Sequence, residues 1–212
     1  MTDSITAIDH IMLVFVRHGE TESNAEKRFM GHLDSPLSAF GRRQASAVAA
    51  RLSRTHVDAI YASDLGRAAA TAAKIGTACN LPVVYDVRLR ERHAGIFQGL
   101  THTEARKKFP IDYAETENPS PESAIPCGES AVDVRTRFLP FLDEVCQHHA
   151  GQTVVLVTHG AFIRTVLWHV LQSSYAITRW ACVDNTSISI FQRARERWIL
   201  QTWNDTGHVQ DL

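Results

Sequence analysis

The sequence predicts an α/β fold, with a mostly parallel central sheet covered by helices on both faces, in three layers. Three observations carry that reading. Residues 11–16 and 153–158 are continuous apolar runs, as expected of strands buried on both sides. Segments with apolar residues at helical spacing separate the strand-like runs along most of the chain. The 212 residues are 44% apolar and 21% charged, enough to bury a sizeable core and too apolar for a disordered chain.

The elements follow in order. Residues 11–16 form the first strand and end on Arg17-His18-Gly19. Residues 38–54 place Ala45, Val48, Ala49 and Leu52 on one helical face, with Ser38 as the N-cap. A short strand over 58–62, an Ala-rich helix over 65–79 and a third strand over 81–85 come next. Residues 109–130 differ in kind. They hold Pro110, Pro119, Pro121 and Pro126, five acidic residues and no Lys or Arg, and read as a long surface excursion. A helix over 131–149, the strand over 153–158, a helix over 161–171 and two late strands over 187–191 and 198–203 complete the chain. The length favours one domain spanning 1–212, with a lid or insertion at about 101–130.

The formal net charge of −1 offers no basic surplus for nucleic acid or an anionic membrane, so neither is an expected partner. Cys79, Cys127, Cys146 and Cys182 form no CxxC pair, which argues for free thiols in a reducing compartment. The first apolar run is too short to span a bilayer. The leader, residues 1–10, has two Asp, no Lys or Arg and no signal-peptide pattern. The cytoplasm is the expected location.

Two strands close on a histidine followed by glycine, His18-Gly19 and His159-Gly160. Ligands of open α/β sheets lie beyond the carboxyl ends of the strands. If both strands are central, the two histidines face one crevice, and each glycine lets the backbone turn sharply and approach a ligand. Neutral imidazole is a competent nucleophile toward phosphorus, provided the phosphoryl oxygens are met by donors. Arg17 and Arg67 can chelate phosphate in a forked geometry, and His159 adds a donor if protonated. Positive surroundings keep His18 uncharged. Glu91 is the candidate proton donor to a leaving alkoxide. Its competing reading is an exposed ion pair with Arg88, Arg90 or Arg92. Arg67 could likewise pair with Asp64 at a helix start. His10, His56, His169 and His208 have no partner at ligand spacing, so no metal is expected. His148-His149 reads as a helix end. His93 and His102 are candidates for the pocket mouth. The four tryptophans read as core or subunit contacts, with Trp180 alternatively covering the cleft.

Together these residues resemble the histidine phosphatase superfamily, the group that contains cofactor-dependent phosphoglycerate mutase, over roughly residues 14–205. The resemblance rests on Arg17-His18-Gly19-Glu20-Thr21 with Asn24 and residues 29–34, and on Ser63-Asp64-Leu65-Gly66-Arg67-Ala68 with Thr71-Ala72. It continues through Leu89-Arg90-Glu91 with Gly95 and Gln98-Gly99, Gly128-Glu129-Ser130 with Val134 and Arg137, and Thr158-His159-Gly160. It implies His18 as the phosphorylated nucleophile, Glu91 as proton donor, and Arg17, Arg67 and His159 as the phosphate clamp. It adds Thr21, Asn24, Gly31, Gly160 and Ala161 as further phosphate contacts. No cofactor is implied, because arginines carry the charge that Mg²⁺ carries elsewhere. The implied partner is a small phosphorylated metabolite. Relatives of this kind are often dimers, so a homodimer is the expected assembly.

The mutases of that superfamily carry extra basic clamps for a second anionic group. Here the corresponding Lys position falls on His102, the Tyr position on Ala94, and the excursion has no arginine. Losing these clamps favours hydrolysis over mutase chemistry. Arg106-Lys107-Lys108 could supply the missing charge, but consecutive helical positions diverge, so a solvated surface run is the better reading. A catalytically silent phospho-ligand-binding module is disfavoured because the nucleophile and the acid are both present. The acidic excursion points to a monophosphate whose remainder is neutral, zwitterionic or cationic.

Overall fold

In a computed structural model, residues 10–195 and 197–212 are described; residues 1–9 of the leader fall outside them. The elements run β1 (His10–Arg17), α1 (Glu22–Ala25), α2 (Ala39–Leu52), β2 (Ala59–Ala62), α3 (Gly66–Cys79) and β3 (Val83–Tyr85). Then follow α4 (His102–Lys108), α5 (Pro110–Glu115), α6 (Ala131–His148), β4 (Thr153–Thr158), α7 (Gly160–Leu171), α8 (Tyr175–Thr178), β5 (Ile188–Ala194) and β6 (Arg197–Asp205). All six strands join one sheet in the order β3-β2-β4-β1-β5-β6. Strands β3, β2, β4 and β1 are parallel, and β5 and β6 add an antiparallel edge. The mostly parallel α/β architecture expected from the apolar runs is therefore what the chain adopts.

Alternation along the two central strands builds both faces. Leu13 and Phe15 of β1 with Val154 and Leu156 of β4 pack against Phe138 and Phe141 of α6 and Phe162, Ile163 and Val166 of α7. Val14 and Val16 with Val155 and Val157 pack on the other side against Val48 and Ala49 of α2 and Ala68, Ala72 and Ile75 of α3. Side chains on both sides are fully buried, so the uninterrupted apolar runs reflect burial on two faces. Helix α2 is capped by the Ser38 hydroxyl, which accepts from the Gly41 N–H at 2.9 Å.

The excursion differs from its sequence reading. It carries helix α5, which starts at Pro110. Proline is well suited to a first helical position, where its missing N–H has no intrahelical partner to lose. A small cluster of Phe97, Ala105 and Tyr113, joined by Phe29, Phe109 and Ile125, roots this segment on the acid-bearing loop. The reading of Arg106-Lys107-Lys108 as a solvated run agrees with the structure, where all three are exposed. Arg106 lies over the Tyr113 ring and 3.7 Å from Glu117.

The glycines after the two histidines play a different part from the one expected. Neither Gly19 nor Gly160 has a positive φ. A Cβ on Gly19 would stand 2.6 Å from the Gly41 carbonyl oxygen, and one on Gly41 only 1.9 Å from that of Glu20. Gly19 therefore lets the loop after β1 lie directly against the start of α2. A Cβ on Gly160 would meet the Arg17 guanidinium at ordinary contact distance, 3.5 Å.

Candidate active site

Strands β1 and β4 are neighbours, with Arg17 paired to Thr158 at their carboxyl ends. The next residue of each strand is therefore a histidine at the same sheet edge, and the two imidazole centroids lie 5.1 Å apart. Both rings are buried, His18 at 1% exposure and His159 at 0%. His18 Nδ1 lies 2.8 Å from the Gly19 carbonyl. A carbonyl can only accept, so Nδ1 bears the proton and the lone pair resides on Nε2. Burial first, then the Arg67 and Arg17 charges, hold His18 well below its ordinary value. Burial, which sequence reasoning omitted, is the larger cause of that neutrality.

Arg67, at 1% exposure, is among the largest fully buried side chains. Its Nη1 and Nη2 donate to the carbonyls of Leu33 (2.9 Å) and Gly31 (2.8 Å), and its Nε donates to His18 Nε2 at 3.3 Å. Gly31, expected to touch phosphate, here holds Arg67 through its carbonyl. Asp64 does not pair with Arg67; it is bound by Arg90. Arg17 Nη1 donates to the Val183 carbonyl at 2.6 Å, and its buried Nε has no partner. Burial lowers the Arg17 pKa to about 10, opposed by Glu91, so the group stays cationic at neutral pH.

His159 Nε2 lies 2.9 Å from the Ser63 hydroxyl, whose oxygen also accepts from the Leu65 N–H. The hydroxyl can donate to Nε2 or accept from it, and Nδ1 is a buried atom with no partner among the described residues. Burial, Arg67, His18 and Arg17 keep this ring well below its usual range. A protonated His159 would donate from both ring nitrogens, and the burial of the ring works against that charge.

Glu91 makes no ion pair among the described residues. Its carboxylate accepts from the N–H groups of Ala161 and Phe162 at 3.1 Å each, at the N-terminus of α7, and from Arg92 N–H at 2.9 Å. Arg88 and Arg90 are taken by Asp86, Glu144 and Asp64, so the exposed-pair reading of Glu91 does not hold. The Ala161 amide assigned to phosphate is occupied by this carboxylate. Behind it, Arg137 donates to the carbonyls of Arg88, Arg90 and Glu91 and is held by Glu129, while His32 Nε2 donates to the Glu91 carbonyl at 2.7 Å.

Thr21 is fully buried and caps α1, donating to Asn24 Oδ1 and accepting from the Asn24 N–H. Asn24 is thereby turned so that its carbonyl faces the protein. Asn185, which no pattern in the sequence marks, donates to the His18 carbonyl at 3.0 Å. Ser63 stands in the sequence only as one member of a motif; its contact with His159 is a tertiary one that spacing does not reveal.

A cavity of about 460 Å³ adjoins this cluster, and its lining includes Arg92, Ala161, Arg164, Thr165 and Arg179 together with Asp112, Glu115 and Glu117. His102 and Trp180 line it too, and Trp180 is 71% exposed, which agrees with a place at the cleft. His93 instead stacks on His32. His148 bonds the Glu144 carbonyl at the end of α6, and Trp198 and Trp203 pack on the core. All four cysteines are free thiols, and no helix among the described residues is long and apolar enough to cross a membrane.

Two buried neutral histidines make the fold acid-sensitive. In the folded chain both rings stay neutral well below 6.5, the ordinary value. The unfolded chain takes up those protons as pH falls below about 6.5, so stability is lost in that direction, by up to about 1.4 kcal/mol per pH unit for each ring. Urea unfolding at pH 7.5 and 5.5 should therefore show the wild-type advantage over His18→Ala shrinking by about 1.4 kcal/mol in total, most of it below pH 6.5. A constant difference would show that His18 titrates alike in both states.

This geometry can be set beside known proteins. Phosphoglycerate mutase-like protein 4 of Arabidopsis thaliana is 37% identical over 208 residues, covering 96% of this chain and 89% of that protein. Phosphoserine phosphatase 1 of Hydrogenobacter thermophilus is 34% identical, covering 95% and 96%. The structure of mycobacterial glucosyl-3-phosphoglycerate phosphatase complexed with VO3 superposes with a TM-score of 0.85 at 34% identity, over 92% of this chain and 99% of that one. With two strand-end histidines, two buried arginines and a carboxylate at one sheet edge, and with the family profile matching residues 13–206, the chain belongs to the histidine phosphatase superfamily, branch 1.

Proposed function

We propose that the protein is a phosphatase that hydrolyses small phosphate monoesters through a phosphohistidine on His18, without a metal. The observation that carries this reading is a neutral His18 whose lone pair is on Nε2, beside two unpartnered buried nitrogens, Arg17 Nε and His159 Nδ1. A phosphoryl group at this sheet edge satisfies Arg17 Nε, accepts from His159 Nδ1 in the tautomer where Ser63 donates to Nε2, and presents phosphorus to His18 Nε2. Arg67 Nε, which now covers that lone pair, turns to a phosphoryl oxygen as the ester enters. The two guanidinium groups take the charge role that a metal has elsewhere.

The cycle has two steps. His18 Nε2 forms the N–P bond as the ester P–O bond breaks, and Glu91 gives its proton to the leaving oxygen. Water then attacks phosphorus, its proton passes to Glu91, and His18 leaves as the neutral ring. Asn24 and the Gly160 amide are further contacts for the phosphoryl oxygens, the Ala161 and Phe162 amides being held by Glu91. The relatives named as phosphoserine and glucosyl-3-phosphoglycerate phosphatases support hydrolysis. So does the cavity wall formed by Asp112, Glu115 and Glu117, which repels the second phosphate that a bisphosphate-retaining mutase must hold. The free thiols suit a reducing compartment, and we place the enzyme in the cytoplasm.

The acid role of Glu91 is tested by leaving-group dependence. Glu91→Gln should slow an alkyl phosphate ester by about 10²- to 10⁴-fold while slowing p-nitrophenyl phosphate, whose leaving group needs no proton, by less than about tenfold. Equal slowing of both would remove Glu91 from the proton-donor role.

A further inference from the structure

Residues 183–187, between α8 and β5, close over the end of β1. Arg17 gives its backbone N–H to the Ser187 carbonyl and its Nη1 to that of Val183, at 3.3 and 2.6 Å. In return the Thr186 N–H donates to the Arg17 carbonyl at 3.0 Å and lies 3.3 Å from that of His18. The turn that brings these groups together is strained. Thr186 is fully buried and has a φ of +59°, a left-handed backbone that a β-branched residue rarely adopts. Asp184 ties the turn to β6, where its N–H donates to Asn204 Oδ1 and its carboxylate accepts from Asn204 Nδ2, both at 2.7 Å. Strain of this kind persists only where the surroundings hold it, and it gathers at functional sites.

Within that turn the Asn185 side chain holds two groups at once. Its Nδ2 donates to the His18 carbonyl at 3.0 Å and to Asn24 Oδ1 at 3.4 Å, one contact for each of its N–H groups. The first contact fixes the peptide unit after His18, whose own N–H donates to the Thr158 carbonyl of β4 at 3.0 Å. The nucleophile is thereby held on both sides of its Cα. The second contact adds a donor to Asn24 Oδ1, which already accepts from the N–H and the hydroxyl of Thr21 at 3.1 Å each. A reversed Asn24 would turn its own N–H pair against those donors, so its orientation is fixed. That N–H pair makes no hydrogen bond among the described residues and is left for a ligand.

We propose that Asn185 is a positioning residue that sets the His18 nucleophile and the Asn24 amide relative to each other, so that chemistry and phosphate binding depend on one side chain. The proposal rests on the phosphatase reading for the roles of His18 and Asn24. Its two contacts have separable effects. Losing the one to His18 lets the ring recoil from phosphorus and slows the chemical step. Losing the one to Asn24 frees that amide to turn and weakens its hold on a phosphoryl oxygen.

Asn185→Ala removes both contacts without adding charge. With p-nitrophenyl phosphate it should lower kcat by about 10- to 100-fold, the cost of a small misplacement of reacting groups. Inorganic phosphate, titrated by calorimetry, should bind about 3- to 10-fold more weakly than to wild type, the range of one neutral hydrogen bond. A double-mutant cycle with Asn24→Ala separates the two effects. In the Asn24→Ala background, Asn185→Ala should weaken phosphate binding by less than about twofold and still lower kcat by at least about tenfold. A residue that merely braces the fold weakens binding alike in both backgrounds. A kcat within about threefold of wild type, or affinity losses that multiply across the cycle, overturns the proposal. Should Asn185→Ala not fold, Asn185→Ser takes its place; if neither folds, Asn185 is a structural residue and the proposal fails. Wild-type enzyme that hydrolyses no ester but shows the coupling in phosphate binding defeats the phosphatase reading and confines Asn185 to the Asn24 link. Hydrolysis without the coupling defeats the proposal and leaves the phosphatase reading in place.

Discussion

Phosphate release from any monoester is expected to fall by at least about 10⁴-fold when His18 is replaced by alanine. No other group can take over the attack. His159 is the nearest imidazole, but its Nε2 is engaged by the Ser63 hydroxyl at 2.9 Å. The arginines have no nucleophilic form at neutral pH, and the Glu91 carboxylate is spread over backbone N–H groups of α7. What remains in the variant is the electrostatic cradle alone. Two measurements check this. Steady-state phosphate release gives the rate, and rapid quenching with a labelled ester shows whether an alkali-stable, acid-labile phosphoprotein forms in wild type and disappears in His18→Ala. Release that survived the substitution would sink the mechanism at its first step.

Arg67 carries the second large effect, and here activity and stability move together. Its three contacts with His18 Nε2 and the carbonyls of Gly31 and Leu33 need a planar fork that a lysine ammonium cannot reproduce. Arg67→Lys should lower kcat/KM by about 10²- to 10³-fold, the usual cost of losing a donor aimed at transition-state charge. Arg67→Ala should add a stability loss of about 2–5 kcal/mol, because it leaves buried carbonyls unpaired and opens a cavity beside a neutral histidine. Urea denaturation and phosphate-release kinetics on the same samples separate the two. A lysine variant within about threefold of wild type would mean that Arg67 is a structural brace and not a phosphate ligand.

Much of this site was legible because its backbone frame is written in local patterns. The run over 11–16 is apolar throughout and that over 153–158 at every position but its threonine ends, which only burial on both faces explains; the first leads through Arg17 to His18 and the second directly to His159. The order of the motifs then assembled Arg17, His18, Arg67, Glu91 and His159 around one edge. Three things were not legible. Helix α5 was hidden because prolines and acids in that stretch read as loop, although Pro110 sits where a helix tolerates it best. The partners Ser63 and Asn185 act across 96 and 167 positions of chain, and no spacing rule reports such contacts. The resting place of Glu91 was likewise invisible, since it depends on where α7 begins relative to the acid loop.

The ladder between β1 and β4 has a consequence for how such enzymes diversify. The distance between the two histidines is fixed by one inter-strand step, with Arg17 beside Thr158 and the rings 5.1 Å apart, close to the roughly 4.8 Å spacing of any sheet. A slip of one residue would send the two rings to opposite faces. The reacting geometry is therefore inherited as an integer, either kept or lost, and cannot drift by small amounts. Apart from the part formed by α7, the cavity lining hangs on loops and short helices outside this ladder, and these can vary continuously. Different esters can be accommodated by remodelling those walls while the chemical step beneath them stays the same.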